Sequence, residues 1–160
     1  MLKFKNATIN DIPLIAQLAD KIWKEHYPSI ISQDQINYML QSRYSQEAIA
    51  VDMEKGEKYF IAYCGEKAVA YASIEWLEDF YYLHKFYIDV SSHRKGFGRQ
   101  LFDYLLSHID DSMPIKLQVN RQNIMAVNFY FKVGFEIESA IDFDIGEGYY
   151  MNDFVMVRKI

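Results

Sequence analysis

The chain has a single cysteine, Cys64, so it can form no internal disulfide and offers no zinc-ligand spacing. That cysteine lies in an apolar, strand-like run, which predicts a buried and inert thiol. No apolar run reaches the ~18 residues that a membrane-spanning helix requires. The opening Met1-Leu-Lys-Phe-Lys-Asn6 leads into an amphipathic pattern without the apolar core of a secretory signal, so a cytoplasmic protein with no membrane partner is expected. Positive charge is in deficit: 22 acids stand against 17 bases, a net charge of −5, which argues against general nucleic-acid binding. Neither an internal repeat nor a linker interrupts the 160 residues, so one domain over 1–160 is expected.

What is present suffices for a packed core, with 51% apolar and 16% aromatic residues. A short strand is expected at Leu2–Ala7. Asn10 is a plausible helix cap, with Ile12, Ile15, Leu18, Ala19 and Ile22 recurring at helical spacing before Pro28. Ser32 with Gln35 reads as a capping box for a second helix, and Ser45 as the cap of a third that ends at Gly56. The period then changes to two. Lys58–Cys64, Ala68–Trp76 and Phe80–Val90 read as an antiparallel meander. A helix follows over Gly96–Ile109, with Phe97, Leu101, Tyr104, Leu105 and His108 as its stripe. Then come a strand at Ile115–Val119, a helix at Ile124–Val133 and a closing hairpin across Gly146-Glu-Gly148. Strand–helix–strand from Phe80 to Val119 sets two strands parallel. The class is mixed α/β: a six- to seven-stranded, mostly antiparallel twisted sheet with helices on both faces.

The local exception to the acidic background is His93-Arg-Lys-Gly-Phe-Gly-Arg99, between a strand and a helix. Unpaired N–H groups and the positive end of the dipole at a helix N-terminus suit an anion, and glycine lets the ligand approach. Position 101 is leucine, so this is not the dinucleotide fingerprint. It is not a P-loop either, because no Lys-Ser/Thr follows the second glycine. Further on, Asn123 opens a helix and Tyr130 lies seven residues later on the same face, with the small Ala126 between them.

These two stretches together resemble the Gcn5-related N-acetyltransferase (GNAT) family. Its phosphate loop, Gln/Arg-x-x-Gly-x-Gly/Ala, is matched by His93-Arg-Lys-Gly96-Phe-Gly98. Its second signature is matched at Asn123, Ala126, Phe129, Tyr130, Gly134 and Phe135. The resemblance implies acetyl-CoA as co-substrate. It implies that main-chain groups of Phe86, Tyr87 and Ile88 pair with the pantetheine. Main-chain N–H groups of Arg94, Lys95, Gly96, Phe97, Gly98 and Arg99 would hold the pyrophosphate. Asn123 would bond the pantetheine arm, and Tyr130 would protonate the departing thiolate. A phenol of pKa ~10 passes its proton to a thiolate of conjugate pKa ~8.5 without an uphill step only if its own pKa is lowered.

Two departures stand out. His93 replaces the family's Gln or Arg. The glutamate that members often carry before the loop, or on the next strand, is replaced by His84 or Gln118. An aliphatic ammonium of pKa ~10.4 gives up its proton at neutral pH at a cost of roughly 4.6 kcal/mol, so an acceptor is needed. His84 could serve, sharing a face with Tyr82 and Phe86, as could a water chain ending at Glu75, Glu78 or Asp79. His26 and His108 read as surface-helix residues.

The acceptor side of such a protein would draw on Trp23, Tyr27, Trp76, Glu78, Asp79, Tyr81, Tyr82, Asp142, Asp144, Glu147, Tyr149 and Tyr150. Aromatic faces with carboxylates suit a cationic amine. The segment Asp142–Met156 is similar to the tails of polyamine-acetylating members. The expected activity is acetyl transfer to a primary amine by direct attack in a ternary complex, a small cationic amine such as a polyamine being favoured. Protein N-termini or lysines are the alternative acceptors and would require an open groove. A non-catalytic CoA-binding module is the other alternative. The aromatic surplus is compatible with a homodimer.

Overall fold

Alternating and helical periods follow one another along the chain, and the structure follows both. In the computed structural model, which describes residues 1–159, strand β1 (Lys3–Asn6) leads to helix α1 (Ile12–His26). The cap differs from expectation. Thr8 and Asp11 form a reciprocal capping box around a preceding 3-10 turn, and Asn10 only donates its N–H to Thr8. Helices α2 (Gln33–Arg43) and α3 (Gln46–Glu54) follow, capped by Ser32 and Ser45. The Gln35 side chain does not close a capping box. It donates instead to the Tyr150 carbonyl, tying α2 to the final hairpin.

Strands β2 (Lys58–Cys64), β3 (Lys67–Trp76) and β4 (Tyr81–Ile88) form the meander. Helix α4 (Phe97–Leu106) crosses to β5 (Ile115–Asn120), helix α5 (Ile124–Lys132) follows, and β6 (Glu136–Gly146) and β7 (Tyr149–Arg158) close the chain. The sheet order is β1-β2-β3-β4-β5-β7-β6, with β4 and β5 its only parallel neighbours among the described residues.

Each face of the sheet has its own core. Leu101, Phe102 and Leu105 of α4 and Val127 of α5 pack with Leu83, Leu117 and Met156 on one side. Ile15, Ile22 and Trp23 of α1, with Ile36 and Ile49, pack on Ile61, Tyr71 and Met151 on the other. Phe102 belongs to the α4 stripe and His108 does not, because the helix ends at Leu106 and leaves His108 exposed. Cys64 is exposed at the end of β2, correcting the expectation of a buried thiol. Among the described residues no helix is long and apolar enough to cross a membrane.

Candidate active site

β4 and β5 are hydrogen-bonded neighbours only at Tyr81↔Ile115 and Tyr82↔Lys116. Beyond that point they part, and the side of β4 facing β5 has no strand partner. Which groups face the gap follows from the register. Asp89 donates its N–H to the Val69 carbonyl, so the pair Ala70↔Ile88 is a non-hydrogen-bonded one. The N–H and C=O groups of Ile88 and Phe86 therefore point into the gap, while those of Tyr87 turn to Tyr71 on β3. Of the three residues expected to present an edge to a ligand, two do so through the main chain. Tyr87 contributes its side chain, whose hydroxyl meets that of Tyr44 at 2.7 Å.

The gap opens onto the basic loop. Gly96 is the left-handed N-cap of α4 (φ 74°), and Arg94 also has positive φ (62°). The main-chain N–H groups from Arg94 to Arg99 find no acceptor among the described residues, an arrangement that fits an anionic ligand. A Cβ on Gly98 would lie 3.1 Å from the Phe129 ring, so only glycine lets α4 seat on α5 without moving that ring. Asp89 anchors the loop. It is fully buried, accepts from Ser91 and pairs with Lys21 of α1 and Lys67 of β3. Of the loop's own cations, Arg94 and Arg99 line the cavity, Arg99 while pairing with Asp103, and Lys95 is exposed away from it. His93 is more than a tolerated replacement, because its Nε2 lies 2.9 Å from the Ile88 carbonyl and fixes the turn out of β4.

A cavity of about 870 Å³ runs from this loop through the gap to the α1–α2 side of the sheet. Asn123 caps α5 through Ala126 and lies on its wall, 93% buried. Its Oδ1 also meets Nε2 of His26 at 3.1 Å, so His26 belongs to the site and not to an open helix surface. Burial lowers the His26 pKa, against the opposing bond from Asn123, so the ring is neutral at physiological pH.

Tyr130 lines the cavity from α5. Burial, reinforced by Tyr27, raises its pKa well above the ordinary phenol value. The lowered pKa required for downhill proton donation is therefore absent. The buried phenol can offer a hydrogen bond to a thiolate, but full transfer to it would be steeply uphill.

His84 is displaced from the expected alternation by a β-bulge. Ser73 pairs with Lys85 but Ile74 pairs with Leu83, which leaves His84 as the extra residue. His84 lies at a tilt beside the Tyr82 ring on the α1–α2 side, whereas Phe86 faces α4 and α5 and stacks on Phe129. The Nε2 of His84 lies 2.8 Å from Glu75.

The acidic wall expected on the acceptor side does not form. Glu75, Glu78, Asp79, Asp142, Asp144 and Glu147 all lie outside the cavity lining. Asp142 pairs with Arg121, and Asp144 caps the hairpin turn at Gly146. From the hairpin Phe143, Ile145, Met151 and one acid, Asp153, reach the cavity, together with Trp23 and Tyr27 of the first helix region and Tyr82 of β4. Asp153 was not singled out by the sequence, because nothing in Asn152-Asp153-Phe154 separates it from the surface acids around it. Its only signal is strand parity, which places it with the buried Met151 and Val157.

An acetyltransferase (GNAT) domain model matches residues 29–143. Spermidine N(1)-acetyltransferase of Thermoplasma acidophilum is 21% identical, over 99% of this chain and 97% of its own length. Among solved structures, PaiA N-acetyltransferase of the same organism, in complex with coenzyme A, superposes with a TM-score of 0.84 at 22% identity, covering 100% of this chain and 99% of that one. The ribosomal-protein-S18-alanine N-acetyltransferase of Escherichia coli superposes with a TM-score of 0.75 at 17% identity, covering 99% and 93%.

Proposed function

The chain belongs to the GNAT acetyltransferase family and is an acetyl-CoA-dependent N-acetyltransferase, and from that premise we propose that its acceptor is the primary amine of a small cationic molecule, with polyamines the favoured class. The observation that carries this reading is one continuous cavity with two unlike ends. One end has unpaired main-chain donors at Phe86, Ile88 and Arg94–Arg99, and the other has aromatic walls from Trp23, Tyr27, Tyr82 and Phe143. The relative named as a spermidine acetyltransferase supports the same acceptor class.

On this reading the loop amides hold the pyrophosphate, and the free edge of β4 receives the pantetheine as an added strand. Asn123 has its Oδ1 engaged by His26 and Ala126, so its amide NH₂ is the group that remains for the pantetheine arm. The amine nitrogen attacks the thioester carbon, forming the C–N bond as the C–S bond breaks. The Ile88 N–H polarises the carbonyl, and Tyr130 stabilises the thiolate by hydrogen-bond donation. His84, oriented by Glu75, accepts the amine's proton directly or through water. Holding two reactants in one cavity supplies most of the acceleration.

Arg43 favours a second acceptor class. It lies on the cavity wall 5.9 Å over the Phe143 ring, with no carboxylate partner among the described residues. A guanidinium there opposes a polycation and would pair with an acidic residue of a peptide acceptor. The deciding experiment measures release of free thiol from acetyl-CoA with spermidine, with a simple diamine and with peptides carrying a free N-terminus or lysine. Turnover on peptides and not on the free amines would overturn the polyamine reading in favour of the second.

A further inference from the structure

Asp153 is the one carboxylate among the described residues that lines the cavity, and it is 94% buried. It stands opposite Asn120 of β5 and Ile141 of β6 in the sheet. The Asn120 side chain is used elsewhere, accepting the Gln122 N–H of the turn into α5. Oδ1 of Asp153 is enclosed and has no hydrogen-bond partner. The cation whose charge acts on it, Arg121, is paired with Asp142 instead. The remaining polar groups whose charges couple to it are the phenols of Tyr82 from β4 and Tyr27 from beyond α1, neither of which brings positive charge.

A buried carboxylate without a counter-ion opposes folding, and nothing in the surrounding structure uses it. Of the cations on the same cavity wall, Lys85 is committed to Asp52 and Glu57 and Arg43 lies over the Phe143 ring, and neither bonds Asp153, so the partner its carboxylate lacks can come from solution through the cavity. We infer that Asp153 receives an ammonium group of the acceptor inside the cavity and thereby sets the enzyme's preference for cationic substrates. This rests on the amine-acceptor reading above and names the residue that enforces it. Burial raises the Asp153 pKa to about 6, with Arg121 pulling weakly the other way, so the group is largely ionised at neutral pH and ready for a cation. The aromatic faces of Tyr27 and Tyr82 on the same side of the sheet supply further attraction for an alkylammonium chain.

The test uses the full chain saturated with CoA, which cannot react, and titrates spermidine by calorimetry into the wild type and Asp153→Asn. The wild type should bind spermidine, and Asp153→Asn should bind it roughly 10- to 100-fold more weakly, as expected for loss of one buried charged pair. CoA alone should raise the melting temperature of both proteins equally. The unliganded variant should melt higher than the unliganded wild type, because an unpaired buried charge has gone. Equal spermidine affinity in the two proteins, or binding in neither, overturns the proposal. Failure of CoA to stabilise either protein would instead strike the acetyl-CoA site and is read separately.

Discussion

Nζ of Lys21 on α1 stands 2.6 Å from Oδ2 of Asp89, the residue at which β4 turns into the basic loop. Desolvation works against the Asp89 carboxylate, but Lys21 and the Ser91 N–H and hydroxyl outweigh it and hold its pKa at about 2. A pKa depressed on folding contributes stability that is complete above the unfolded value and is lost as pH falls toward the folded one. Asp89→Asn should therefore lower stability by roughly 2 kcal/mol at pH 7, with about half of that difference remaining at pH 3. Urea unfolding at the two pH values checks the size, and an unchanged midpoint at pH 7 contradicts the role. The loop's tether is lost with the charge, so CoA affinity should fall as well.

Tyr130→Phe should reduce kcat by roughly 10²-fold, the usual loss when one donor to a developing charge is removed. CoA affinity and melting temperature should stay close to wild type, because the ring and its packing against Phe86 and Phe135 are retained. Since burial raises the phenol's pKa, the wild-type rate should show no descending limb from Tyr130 ionisation below pH ~10. A variant that retains full kcat on an accepted amine removes Tyr130 from the chemistry.

Most of this architecture is legible in the sequence, because local patterns dictate local structure. Ser45 and Asn123 cap the helices they precede, and Gly146 and Gly148 turn the hairpin where expected. The loop signature follows β4 and the helix signature follows β5, the two strands that part. Features set by register are not legible. One inserted residue at His84 moves Phe86 to the opposite face, and no local pattern marks a bulge. The choice between Asp153 and its neighbouring acids depends on which strand face meets α1, a tertiary fact. His26 reads as a surface residue because only the approach of α5 brings Asn123 against it. Cys64 sits in an apolar run but at a strand end, where the turn exposes it.

Asp153 should also leave a signature in the pH dependence of stability. Its folded pKa of about 6 lies above the ordinary carboxylate value of 3.8, so the native state binds more protons than the unfolded chain between these values. The sign is opposite to that of Asp89: stability falls as pH rises through this window. The loss amounts to about 3 kcal/mol once the group is fully ionised, an upper figure for a group beside a cavity. Denaturant melts of the ligand-free protein at pH ~4.5 and ~7, compared with Asp153→Asn, isolate this contribution. The wild type should gain on the variant at the lower pH, and parallel behaviour of the two would show that Asp153 titrates normally.

The β-bulge in β4 brings Lys85 to the α1–α2 side, where its stem is buried and its ammonium lies 2.9 Å from Asp52 and 3.3 Å from Glu57. Ser73 donates to the same Glu57 oxygen, and Tyr59 donates to Asp52. The ammonium also lies over the rings of Tyr44 and Tyr59. Removing one member of such a group leaves the others charged and buried, which is more damaging than removing the whole group. Lys85→Met should destabilise by roughly 3 kcal/mol. Lys85→Met combined with Glu57→Gln should recover part of that loss, because the second substitution removes the stranded charge and leaves an amide oxygen that still accepts from Ser73. A double-mutant cycle measures the coupling. Additive losses would mean that Lys85 and Glu57 are held independently, and the bulge would then have no electrostatic reason to turn Lys85 inward.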